Sequence, residues 1–303
     1  MKQLTLLFSI IFIATSSFSQ NFSDTNRIKA HLTNITKTST FRTFNNIALL
    51  NKTADYIKTE FLLYSDSVTF QEYQVQGKTY KNVICSFGTE NEKRIIIGAH
   101  YDVCDKQEGA DDNASGIVGL LELARLLKGQ KLNYRIDLVA YTLEEPPFFR
   151  TESMGSYVHA KSLFDAQKEV FGMISLEMIG FFKDEKHTQD YPLKILSLIY
   201  GNRGNYITLV KKFGSGKFVH QFCRKFKHTK SIRTKKFTAP PALEGIDFSD
   251  HLNYWKFGFS ALMITDTAFF RNKNYHEEGD KMETLDIKRM AKVIDGVYKS
   301  LLK

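Results

Sequence analysis

IIIGAHYDV, Ile95–Val103, is the stretch on which the fold turns. Three β-branched residues followed by Gly98 and Ala99 form a short apolar run, the pattern of a strand buried on both faces. The run ends on His100, with Asp102 two residues further on. Residues two apart on a strand point the same way, so an imidazole and a carboxylate leave the strand end together. A histidine hydrogen-bonded within the core would explain the pair. So would a histidine that offers one ring nitrogen to a metal and the other to Asp102, fixing its tautomer.

Other apolar runs end in the same manner. LVAYTLEEPP (Leu138–Pro147) closes on Glu144 and Glu145 before two prolines. Adjacent glutamates at a strand end point differently, so one can ligate while its neighbour faces the water beside it. VFGMISLEMIG (Val170–Gly180) sets Glu177 among apolar residues, where a lone carboxylate is costly unless paired or metal-bound. GADDNASG (Gly109–Gly116) places Asp111 and Asp112 just before a helix, which suits N-capping as well as ligation. YHEEGD (Tyr275–Asp280) supplies His276 after a last strand.

The spacing predicts strands at 78–87, 93–100, 134–143, 170–178, 204–210 and 259–265. It predicts helices at 27–35, 43–63, 114–129, 155–166, 214–227 and 286–302. The helix at 114–129 carries its apolar stripe at 117, 120, 121, 124 and 127 and closes on Gly129. Strands alternating with helices imply an α/β protein with a largely parallel sheet covered on both faces, and ligands collect beyond the carboxyl ends of such strands.

Composition agrees with one globular domain: 303 residues, 43% hydrophobic and 25% charged, with five prolines and no Pro/Gly/Ser-rich linker. Residues 1–19 read as a signal peptide, with Lys2, an apolar stretch from Leu4 to Ala14, and Ser17 and Ser19 before the cut. The apolar stretch is too short to span a membrane, so residues 20–303 are expected as one exported domain, periplasmic or extracellular. Cys85, Cys104 and Cys223 are odd in number and read as structural. The net charge of +9 concentrates in 191–243, which holds twelve Lys or Arg and no Asp or Glu. That stretch reads as a solvated face. Nucleic-acid binding is not expected, since no binding motif appears and GSGK (Gly214–Lys217) lacks the spacing of a phosphate loop.

In order and wording these motifs resemble the co-catalytic zinc aminopeptidases related to bacterial leucyl aminopeptidases, glutamate carboxypeptidases and glutaminyl cyclases. The resemblance covers roughly 75–302 and includes SDHLNYW (249–255) and ALMITDTAFFRNKNYH (261–276). It implies a zinc-exopeptidase fold, a single domain with one mixed, mostly parallel sheet of about eight strands and helices on both faces. It also implies two Zn²⁺ ions at the strand ends, with Co²⁺ or Mn²⁺ as substitutes. Asp112 would bridge them, His100 and Glu177 would complete one position, and Glu145 and His276 the other. The longer Glu177 stands where the family often has Asp. Glu144 would be the general base and Asp102 the partner of His100. His251 is left as a residue of the site wall or a support behind the ligands, and the sequon at Asn113 is treated as accidental. The resemblance implies an aminopeptidase acting on peptides or amino-acid conjugates. The alternatives are a glutaminyl cyclase with one zinc or a binding protein on the same scaffold. DNASG (Asp112–Gly116) matches the peptidase branch. Phe148, Phe149, Phe181 and Phe182 read equally as pocket lining or as core.

Overall fold

The structure is a computed structural model that describes residues 22–302, so the expected signal peptide lies outside the described residues. Eight strands form one mixed sheet: β1 (Val68–Val75), β2 (Lys78–Phe87), β3 (Arg94–His100), β4 (Arg135–Tyr141), β5 (Val170–Glu177), β6 (Ile207–Lys211), β7 (Thr234–Thr238) and β8 (Ala261–Thr265). Their spatial order is β1-β2-β4-β3-β5-β8-β6-β7. The four central strands, β4, β3, β5 and β8, run parallel. Antiparallel pairings join β2 to β4 and β6 to β8 at the flanks.

The helices are α1 (Thr25–Thr36), α2 (Ile47–Leu62), α3 (Gly116–Leu127), α4 (Gly155–Asp165), α5 (Leu196–Tyr200), α6 (Gly216–Thr229), α7 (His251–Lys256) and α8 (Ile287–Leu302). Strand β3 shows why helices cover both faces. Ile95 and Ile97 enter the core shared with α1, α2, α3, α6 and α8, while Ile96 enters a second core under α4 and α7. Burying side chains of this size contributes roughly 1.5–3 kcal/mol each. Among the described residues no helix is long and apolar enough to cross a membrane.

Six strands and six helices fall where the sequence places them, within a few residues. β1, β7, α5 and α7 were not expected. The basic stretch is mostly surface: α6 buries Phe218, Val219, Phe222, Cys223 and Phe226 and turns Lys217, Arg224 and Lys227 to solvent.

Candidate metal centre

Parallel register brings the carboxyl ends of β3, β4 and β5 to one edge of the sheet. His100 is the last residue of β3 and pairs with Tyr141, so Glu144 and Glu145 follow just beyond the end of β4. Glu177 ends β5 and pairs with Thr265, and the chain continues from there to His276. Asp112 lies in a wide turn, Ala110–Ser115, between β3 and α3. Two glycines allow that turn. Gly109 has φ +57°, and a Cβ there would lie 2.4 Å from the Asp112 carbonyl oxygen. At Gly116 a Cβ would lie 2.6 Å from the Leu176 carbonyl oxygen, so only glycine lets α3 start this close to β5.

The two oxygens of Asp112 face different histidines. Oδ1 is 3.3 Å from His100 Nε2, and Oδ2 is 3.3 Å from His276 Nε2. Glu177 Oε2 stands 3.5 Å from His100 Nε2, and Glu145 Oε2 3.1 Å from His276 Nε2. Glu144 Oε2 is 3.8 Å from His100 Nε2. Donors about 2.0–2.2 Å from one zinc stand about 3.3–3.6 Å apart at tetrahedral angles, so the spacing fits two neighbouring metal positions.

Hydrogen bonds fix the backbone around the site. Asp102 Oδ1 accepts the Glu144 amide at 3.2 Å, and its Oδ2 accepts the Glu145 amide at 3.1 Å. His100 Nδ1 donates to the Asp102 carbonyl at 3.3 Å and lies 3.6 Å from its Oδ1. Asp280 accepts the amides of Asp111 and Asp112 at 2.9 and 3.0 Å, a role with no signal in the sequence. Asp111 faces away from the centre, accepting from Gly180 N and Asn272 Nδ2. Asn113 is fully buried and donates to Leu176 O and Glu177 Oε2, so its sequon cannot be a surface acceptor in the folded chain. Ser249 Oγ donates to Glu177 Oε2 at 2.7 Å.

The centre is strongly anionic. Asp102, Asp112, Glu144, Glu145 and Glu177 are all at most 6% exposed. Among the described residues none of them forms an ion pair with Lys or Arg, and their ion-pair partners are His100 and His276. Burial, aided by Glu145 and Glu177, pushes the Glu144 carboxyl well above its usual range against the pull of His100. Burial and Asp112 raise Glu145 to about 7. For His276 burial acts downward, but Asp112 and Glu145 outweigh it and raise the imidazole to about 11. Asp112 Oδ2, Glu145 Oε1 and His276 Nε2 are buried atoms with no hydrogen-bond partner. Buried charges of this kind are paired or metal-bound, and this donor set of imidazole and carboxylate suits zinc. Metal binding would displace protons from the histidines.

Three sets of residues find their places. His251 is not part of the site wall: its Nε2 donates to Ile246 O at 2.8 Å and its ring meets Trp255 edge-on, as an inward residue of α7 must. Phe148 and Phe182 belong to the main core, and the pocket beside Glu177 is lined instead by Phe237, Phe248, Phe269, Phe270, Tyr191 and Tyr206. This pocket encloses about 660 Å³ including its open mouth. Cys104, read as structural, brings its sulfur within 4.8 Å of ligand atoms of Glu145 and His276.

A sheet whose strand ends converge on two histidines facing one buried aspartate brings together groups that can hold metal ions. Residues 82–301 match peptidase family M28, and the chain belongs to that family of hydrolases acting on peptides. It is 44% identical to the Escherichia coli protein named uncharacterized protein YfbL, over 87% of this chain and 83% of that one. It is 28% identical to a probable leucine aminopeptidase of Trichophyton verrucosum over 73% of this chain, which spans 57% of that relative's length. Among solved structures, LapB of Legionella pneumophila shares the fold at TM-score 0.72 and 21% identity, over 91% of this chain and 71% of that one. A glutaminyl cyclase of Tannerella forsythia does so at TM-score 0.66 and 18% identity, over 92% and 98%.

Proposed function

We propose that this chain is an exported aminopeptidase that uses two zinc ions to remove N-terminal residues with bulky apolar side chains from peptides. The observation that carries it is Asp112, whose two oxygens each face one histidine, His100 on one side and His276 on the other. His100 and Glu177 would hold one zinc, His276 and Glu145 the second. When bound, the ions would polarise the scissile carbonyl and acidify the attacking water.

The chain's own residues do the remainder. Glu144 Oε2 stands 3.8 Å from His100 Nε2, farther than the Asp112 and Glu177 oxygens, and its buried carboxyl holds a proton readily. It takes a proton from the water and returns it to the leaving amine. The aromatic pocket beside Glu177 receives the side chain of the residue to be removed. Export is supported by the leader pattern of 1–19.

Glutaminyl cyclisation is the second reading, favoured by the shared fold of the cyclases. It needs one zinc, and the intact pair of His100 and Glu177 favours the peptidase. A panel of aminoacyl reporter substrates, with and without added zinc, tests the proposal. Zinc-dependent release of Leu, Phe or Met reporters is expected. Cyclisation of N-terminal glutaminyl peptides without such release would reverse the choice.

A further inference from the structure

Cys104 lies on the loop after β3, four residues beyond His100, and that loop is fixed from below. The buried Arg42 guanidinium donates to the carbonyls of Tyr101, Glu108 and Gly109, and the Val103 amide donates to Arg42 O at 3.1 Å. The thiol is therefore presented from an anchored loop. Its sulfur, a Glu145 carboxylate oxygen and a His276 ring nitrogen lie within 4.8 Å of one another.

The neighbours point to a cation. Glu145 is 4% exposed, and its Oε1 is buried with no hydrogen-bond partner. The two metal positions also differ in kind. His100, Asp112 and Glu177 form a group of nitrogen and oxygen donors, whereas among the described residues only the His276 side has a cysteine sulfur within reach. Cys85 and Cys223 are buried elsewhere, 0% and 2% exposed.

We infer that Cys104 is a thiolate ligand of the metal position formed by Asp112, Glu145 and His276, making that position selective for zinc or cobalt over manganese. This rests on the dinuclear reading above. Thiolate is a soft donor that favours zinc, while carboxylate-rich sites accept manganese. The added thiolate would hold this ion more tightly than the one at His100, whose donors are nitrogen and oxygen alone. The thiol proton leaves on binding.

The test is titration of the metal-stripped protein with Co²⁺, followed in the near ultraviolet, where thiolate-to-cobalt charge transfer absorbs. One thiolate band per chain is expected in the wild type and in His100→Ala, and none in Cys104→Ser. Loss of Cys104 should weaken zinc at one position by at least the about 10–100-fold typical of removing a ligand's supporting partner, and leave manganese affinity nearly unchanged. Zinc X-ray absorption of the wild type, which needs no variant, should show a sulfur at about 2.3 Å. Two bound equivalents with no band and no zinc–sulfur distance would overturn the assignment of Cys104 alone. A band that survives Cys104→Ser would also overturn it. Failure to bind any metal would overturn the dinuclear reading and this inference together.

Discussion

The Asp102 side chain accepts the backbone amide of Glu145 at 3.1 Å, although 43 residues separate them, and its other oxygen takes the amide of Glu144. One carboxylate thus orients both glutamates beyond β4, while the backbone carbonyl of the same residue accepts from the histidine at the end of β3. Asp102→Ala removes both acceptors and is expected to weaken zinc by about 10–100-fold, as loss of a ligand's supporting partner does. Competition with a chelator measures this. Unchanged zinc affinity would mean that the β4 glutamates are held in place without Asp102.

Glu144 and Glu145 are neighbours with separate assignments. Glu144→Ala should retain both zinc ions and lose about 10²–10⁴-fold in rate, the usual contribution of a general acid or base. The loss should fall on kcat more than on KM, because the proton moves in the transition state. Glu145→Ala should lose metal as well as activity. Zinc content and steady-state kinetics of the two variants decide between these roles, and an active Glu144→Ala enzyme would remove the proposed proton shuttle.

His159 provides a pH test away from the metals. Its ring is 3% exposed, bonds Tyr254 Oη through Nδ1 at 2.6 Å, and is pushed down to about 4 by burial. The ordinary value is about 6.5, so below that pH the unfolded chain takes up a proton that the folded chain refuses. The contribution to stability is therefore complete above about pH 6.5 and is lost as pH falls towards 4, by about 2–3 kcal/mol at the lower end. In denaturant unfolding of the metal-free proteins, the stability of the wild type relative to His159→Gln should fall by that amount between pH 7.5 and 4.5. A difference that stays constant with pH would contradict the burial argument.

The centre was legible because its residues are out of place chemically: His100, Glu144, Glu145 and Glu177 close apolar strands, where an unpaired polar group is costly. The resemblance then gave metals to His100, Glu145 and Glu177 and proton transfer to Glu144. Less visible were groups whose roles depend on distant parts of the chain. Asp280 caps the amides of Asp111 and Asp112 from 168 residues away, and Cys104 meets Glu145 and His276 only after folding. The edge strands β1 and β7 escaped notice because half-solvated strands carry polar residues on both faces, as VTFQEYQV and TKKFT do. The six-residue α7 is too short to show a helical stripe, and so His251 reads in the sequence as a residue at the site when it is an inward packing residue of α7.

Zinc stoichiometry tests the bridging role of Asp112 most directly. Protein stripped of metal, reconstituted with zinc and freed of excess should carry two equivalents per chain. His276→Ala should carry one, and so should His100→Ala, because each histidine faces a different oxygen of Asp112. His251→Ala should still carry two, since its ring bonds Ile246 O and Trp255 instead. One equivalent in the wild type, unchanged by His100→Ala, would contradict the two-metal centre and leave a single ion at His276.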